Sequence, residues 1–102
     1  MTMEKATALR ISAKDNVATT LKEVTPGEVV GYLDGESMLT VTAREAVPIY
    51  HKIALKNIAK DELIYKYGEI IGGAMVDIPA GSWVSHYNIM SLPRNYDEEL
   101  NG

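Results

Sequence analysis

The chain has no cysteine, no phenylalanine and a single tryptophan. Without cysteine there is no disulfide framework and no thiolate chemistry. Without phenylalanine the core must be built mainly from Ile, Val, Leu, Ala and Met. Charge of one sign is scarce too. Ten Lys and Arg stand against 14 Asp and Glu, a net charge of −4, and the cations are spread singly. A nucleic-acid or anionic-membrane surface is therefore not expected. No apolar run approaches the roughly 20 residues of a membrane span, and Met1-Thr2-Met3-Glu4-Lys5 lacks the apolar stretch of a secretion signal. The cytoplasm is the expected location.

What is present is punctuation. The 102 residues suffice for one domain, and Pro and Gly divide them into short segments. Residues 8–12 alternate as a half-buried strand does. Val17, Leu21 and Val24 recur at helical spacing behind Asp15 and Asn16, which predicts one short helix capped by either residue. Thr25-Pro26-Gly27-Glu28 has Pro and Gly where a type II turn needs them. Asp34-Gly35 signals a hairpin between residues 29–33 and 37–42.

A weak internal repeat is also visible: aliphatic residue, tight turn, polar residue, strand. It occurs at Val24-Thr25-Pro26-Gly27, Val47-Pro48-Ile49-Tyr50, Ile58-Ala59-Lys60-Asp61 and Ile78-Pro79-Ala80-Gly81. The spacing is too irregular for a solenoid. It predicts a single, mostly β domain of short strands over residues 1–92. Residues 93–102, with the run Asp97-Glu98-Glu99, read as a solvated tail.

The residues able to do chemistry fall in three places. His51-Lys52 opens an apolar strand; the imidazole offers acid–base work and the lysine a charge for a carboxylate. The alternative is a hydrogen-bonded structural histidine beside a solvated lysine. Lys66-Tyr67-Gly68-Glu69 reads in two ways. It is a binding turn, whose Lys and Tyr hydroxyl reach a polyhydroxy acid with Gly68 allowing close approach, or a hairpin turn with an amphipathic tyrosine. Residues 83–88 alternate as a strand, with Trp83, Ser85 and Tyr87 facing one way and Val84, His86 and Asn88 the other. No acid stands at triad spacing, although Asp77 is a candidate to orient His86. The two histidines have no metal-ligand spacing.

In order and spacing, Tyr50-His51-Lys52, Lys66-Tyr67-Gly68-Glu69, Asp77-Ile78-Pro79-Ala80-Gly81 and Asn88, preceded by Asp15-Asn16-Val17-Ala18, resemble a known domain. It is the SAF domain of the altronate/galactarate dehydratase family, similar also to the small subunit of sulfolactate sulfo-lyase. The resemblance spans nearly the whole chain. It implies a β-clip fold of SAF type and a part in a hydro-lyase reaction, β-elimination from a hydroxy acid. It implies a large dehydratase-like subunit or domain as partner and a sugar acid or hydroxy acid as substrate. A divalent, iron-type metal is expected on that partner, with no cofactor in this chain; self-association is left open. Carried over by the resemblance, His51 is the catalytic candidate. Lys52, Lys66, Tyr67, Gly68, His86 and Asn88 are the substrate-binding candidates. The chain departs from the family pattern at Tyr50, where the family has glycine, and at Ser85 and Tyr87, where it has histidine. The alternative is therefore a non-catalytic sugar-acid-binding or regulatory module.

Overall fold

The computed structural model describes residues 6–90; the expected tail over residues 93–102 lies outside them. The described residues are mostly β, in one small domain. The strands are β1 (Ala8–Leu9), β2 (Val17–Thr20), β3 (Val29–Asp34), β4 (Ser37–Thr42), β5 (Lys52–Ala54), β6 (Leu63–Lys66), β7 (Glu69–Ala74), β8 (Trp83–Val84) and β9 (Ile89–Met90).

The expected short helix is not there: residues 17–20 are strand β2. Val17, Thr19 and Thr20 are β-branched and lose rotamer freedom in a helix. The side chains that would have capped it are engaged elsewhere, since Asp15 and Asn16 bond residues 63–68 across the molecule. The helical spacing of Val17, Leu21 and Val24 arises from a strand running into a turn.

A central sheet of order β1-β2-β5-β8 lies between the β3–β4 hairpin and a second sheet of order β6-β7-β9. Alternation along its strands serves two cores. Ala18 and Ile53 face one way and pack with Val24, Val30, Val41 and Val47. Val17, Ala54 and Val84 face the other and pack with Ile58, Ile64, Ala74 and Ile78. Each fully shielded isoleucine stabilises the fold by about 2 kcal/mol.

The four repeated segments form four equivalent corners. Their aliphatic residues Val24, Val47, Ile58 and Ile78 are at most 1% exposed and bridge in pairs, Val24 with Val47 and Ile58 with Ile78. In each corner the N–H of the last turn residue (Glu28, His51, Glu62, Ser82) donates to the carbonyl of the first (Thr25, Pro48, Ala59, Pro79). The third residue has positive φ: 86° at Gly27, 66° at Tyr50, 75° at Asp61 and 88° at Gly81, as a type II turn requires. Its amide donates to a strand-end carbonyl, of Ala43, Thr20, Ala74 and Ala54 respectively. Where the turn starts with a residue bearing an N–H, a glutamate closes it: Glu28 accepts from Thr25 and Glu62 from Ala59. Pro48 and Pro79 have no N–H to satisfy, and His51 and Ser82 replace the glutamates there. The chain from β2 to the second corner is thus repeated from β5 to the fourth, with a shorter hairpin. Two such units clip around one sheet.

Tyr50 holds the left-handed conformation with its side chain 71% exposed, so little packing offsets the strain. Left-handed backbone costs a non-glycine residue about 1–2 kcal/mol, and glycine gives some of that back as unfolded-state entropy. Tyr50→Gly is expected to stabilise the domain by about 1 kcal/mol, seen as a higher urea midpoint at unchanged slope. A lower midpoint would mean that the ring packs more than its exposure suggests.

Candidate functional site

Lys66 and Glu69 pair across a two-residue loop. Tyr67 and Gly68 both have positive φ, 57° and 81°, which makes a type I′ hairpin turn. Of the two readings of this segment, the hairpin describes its backbone, and that backbone also positions its side chains. Asp15 fixes the turn from outside. Only 6% exposed, its carboxylate accepts the Gly68 N–H at 2.7 Å through one oxygen and the Ser12 and Ile11 N–H groups at 3.0 and 3.2 Å through the other. Burial pushes its pKa up, but the backbone donors of Ser12, Gly68, Tyr67 and Ile11 outweigh this and hold it below the ordinary 3.8. Asn16 secures the adjoining strand, donating to the Leu63 carbonyl at 2.9 Å and accepting from the Tyr65 N–H at 2.8 Å.

With the turn fixed, the Tyr67 hydroxyl lies 3.1 Å from Thr19 Oγ1. Thr19 stands directly opposite Lys52 in the β2–β5 ladder, so the two side chains leave the same face of the sheet. Lys66 Nζ lies 5.0 Å from the centre of the Tyr67 ring. Lys52 is half-buried; burial first, then the charge of Lys66, holds its pKa below the usual lysine range. The ion pairs among the described residues are Arg10–Asp34, Lys22–Glu28 and Lys56–Glu62, so neither Lys52 nor Lys66 is in one. Thr19, Lys52, Lys66 and Tyr67 therefore make a small cationic patch in which repulsion and desolvation are relieved by an incoming carboxylate.

His51 is not in this patch. Its ring meets Trp83 edge-on, with centroids 5.5 Å apart and planes at 67°, and Trp83 packs against the first core. Lys52 shares its face with Thr19 and Val84, the side of the second core. His51 closes the second corner, just before β5, and its ring turns to Trp83 while Lys52 faces Thr19.

His86 stacks on Tyr87 at 4.1 Å, both exposed. The strand expected over residues 83–88 ends at Val84, because side chains take over the backbone groups. Asn88 Oδ1 accepts the Ser85 N–H at 2.8 Å, Asn88 Nδ2 donates to the Trp83 carbonyl at 2.7 Å, and Ser85 Oγ accepts the Tyr87 N–H at 3.2 Å. The carboxamide of Asn88 is thus committed to its own turn. Asp77 does not orient His86; it accepts the Lys60 N–H at 2.8 Å.

A cleft of about 590 Å³ opens between Arg10, Asp15, Tyr32, Leu39, Leu63 and Tyr65 and includes none of the expected site residues. Its guanidinium is already engaged, with Asp34 at 2.6 Å and with the carbonyls of Asp15 and Ala13, so its charge is not on offer as that of Lys52 and Lys66 is. Among the described residues no group of three or more His, Cys, Asp or Glu could hold a metal ion, and no helix is long and apolar enough to cross a membrane.

Two pseudo-equivalent hairpin units clipped around a shared sheet, one of them presenting a charged type I′ turn, define a β-clip module. Residues 6–92 match the model of the altronate/galactarate dehydratase SAF domain, and the chain belongs to that family. Altronate dehydratase of Escherichia coli K12 is 42% identical over 90 residues, 88% of this chain and 17% of that protein. Galactarate dehydratase (L-threo-forming) of the same strain is 33% identical over 85 residues, 83% of this chain and 15% of that protein. The (2R)-sulfolactate sulfo-lyase subunit alpha of Chromohalobacter salexigens is 33% identical over 57 residues, 56% of this chain and 61% of that subunit. The chain spans about a sixth of the length of the dehydratases and less than two thirds of the lyase subunit.

Proposed function

We propose that this chain is the small subunit or N-terminal SAF domain of a cytoplasmic, sugar-acid dehydratase-like carbon–oxygen lyase, and that it completes the hydroxy-acid site with a large partner subunit or domain. The observation that carries this reading is the Lys52–Lys66 pair, near enough for the charge of Lys66 to lower the Lys52 pKa and in none of the ion pairs among the described residues. A sugar acid supplies the carboxylate that such a pair binds. Tyr67, anchored on Thr19, is placed to hydrogen-bond a substrate hydroxyl. In the reaction the proton α to the carboxylate is removed and the β-hydroxyl leaves as water. Negative charge grows on the carboxylate as that proton departs, and Lys52 and Lys66 favour the step by neutralising it. The divalent metal belongs to the partner, where it supplies Lewis-acid polarisation.

The chain is to be combined with a large dehydratase-like subunit and a divalent metal, and altronate, galactarate and sulfolactate assayed for elimination. Lys52→Ala and Lys66→Ala are each expected to raise KM about 10- to 100-fold, the worth of a charge-assisted contact. Wild-type KM should also climb toward alkaline pH, because Lys52 gives up its proton below the ordinary 10.5; Lys52→Ala abolishes that limb. Unchanged KM in both variants would sink the lysine assignment. His51→Ala tests the acid–base role carried over from the family, and unaltered turnover removes it.

A non-catalytic binding module is the second reading. Ser85 and Tyr87, standing where the family pattern has histidine, favour it. A galactarate-dependent rise in the melting temperature of the isolated chain, with no turnover alongside any partner, would support it.

A further inference from the structure

β4 is an edge strand. Among the described residues it pairs with β3 alone. Asp34 and Ser37 close the two-residue hairpin, and Ala43 donates to the Glu28 carbonyl, so the inward-facing backbone groups of β4 are those of Ser37, Leu39 and Val41. Those of Met38, Thr40 and Thr42 point outward. The opposite edge of the hairpin is engaged at Gly31 on β3, which bonds Thr7 through both its carbonyl and its N–H. The Thr42 carbonyl is abutted by Gly81. Met38 and Thr40 have no hydrogen bond on the outward side among the described residues.

Exposed edges are usually blunted by lysine, proline, a bulge or a very short strand. β4 has none of these. It runs six residues as Ser-Met-Leu-Thr-Val-Thr, in unbroken register with β3 and with no charged side chain. The exposed face of the hairpin beside it is also neutral, carrying Val29 and Leu33.

We infer that β4 is the dimerisation edge of this chain and that its occupant is β4 of a second copy, joined antiparallel across a two-fold axis. Neutrality argues for a second copy in particular. Two chains of net charge −4 repel over most of their surface, and in a two-fold antiparallel contact every residue meets one from the same strand, so a charged β4 would bring its own charges together. In the register that leaves the Thr42 carbonyl to Gly81, Met38 pairs with Thr40 of the second copy and Leu39 meets Leu39 on the axis. Each copy then gives and receives backbone hydrogen bonds at Met38 and Thr40. Lys52 and Lys66 lie on other strands, so this edge and the proposed substrate face do not compete.

Sedimentation equilibrium of the purified chain is expected to show a reversible dimer of the 11.2 kDa protein. Thr40→Pro removes only an outward N–H, which an edge strand tolerates; Thr40→Lys sets two cations near the axis. Both are expected to give monomers. Circular dichroism confirms that each still folds, and the lysine variant keeps the test alive should the proline variant unfold. A wild-type chain that is monomeric at every concentration overturns the inference, as does a dimer that survives both substitutions. A monomeric chain that binds a large dehydratase-like subunit through Thr40 also overturns it, by giving the edge to that subunit.

Discussion

Replacing Gly81 by alanine is expected to remove a large part of the stability of the domain, about 4 kcal/mol or more out of the roughly 5–15 kcal/mol available to a domain of this size. Two costs add. At φ 88° an alanine is strained wherever it stands. Its Cβ would also lie 2.0 Å from the Thr42 carbonyl oxygen and 3.1 Å from that carbonyl carbon. Those are backbone atoms of β4, and no rotamer change moves them. Retreat is blocked as well, because Gly81 donates to the Ala54 carbonyl at 2.8 Å and accepts from the Arg44 N–H at 2.9 Å. The residue joins the fourth corner to both units at once. Gly27 gives the control. It holds the same turn position at φ 86° with nothing within 4 Å of where a Cβ would stand. Gly27→Ala should therefore cost only the left-handed strain, about 1–2 kcal/mol. Urea unfolding of both variants measures the difference. Equal shifts would show that β4 yields to the added methyl and that the close approach is not what makes glycine necessary.

The corners were legible because their chemistry is local. Pro26 with Gly27, Asp34 with Gly35, and the aliphatic-turn-polar pattern each declare a conformation within four residues. Corners containing Tyr50 and Asp61 were legible only by analogy with the other two, since neither residue advertises positive φ, although aspartate tolerates it better than tyrosine. The misread segments fail for one shared reason. Over residues 15–24, helical spacing and two good capping residues pointed to a helix, but Asp15 and Asn16 spend their side chains on a hairpin some 50 positions away. Over residues 83–88, alternation pointed to a strand, but Asn88 and Ser85 bond the backbone and fold it into a turn. In both places a polar side chain outbid the periodicity. The cationic patch was half visible: Lys52, Lys66 and Tyr67 were singled out, and Thr19 was missed. Nothing local marks a threonine in a strand as the partner of a tyrosine hydroxyl; the ladder register that sets Thr19 opposite Lys52 is a property of the sheet. His51 stands just outside that ladder, and its ring meets Trp83 where Lys52 faces Thr19.

Asp15→Asn should cost about 3 kcal/mol although it changes hardly any volume. Both carboxylate oxygens face N–H donors, Gly68 on one side and Ile11 with Ser12 on the other. An asparagine can turn its oxygen to one side only, and its NH₂ then confronts a donor and leaves it buried and unpaired. The pH dependence follows from the lowered pKa of the carboxylate. The folded value lies below the unfolded one, so the stabilisation is fully present above 3.8 and is lost as pH falls through the folded value. Wild type and Asp15→Asn should therefore differ most at neutral pH and converge in strong acid, with the variant lacking that limb of the stability curve. Urea midpoints taken across the acid range decide it. A gap that stays constant with pH would mean that the loss comes from packing and not from the charged acceptor. The same substitution reaches the proposed site without touching substrate. Freeing the Gly68 amide loosens the type I′ turn that carries Lys66 and Tyr67, so KM for the sugar acid should rise while the alkaline limb due to Lys52 stays where it is. Lys52→Ala predicts the reverse, a lost limb with the acid stability curve intact. Asp15 holds the patch and Lys52 is part of it, and the pair of pH profiles separates those two roles.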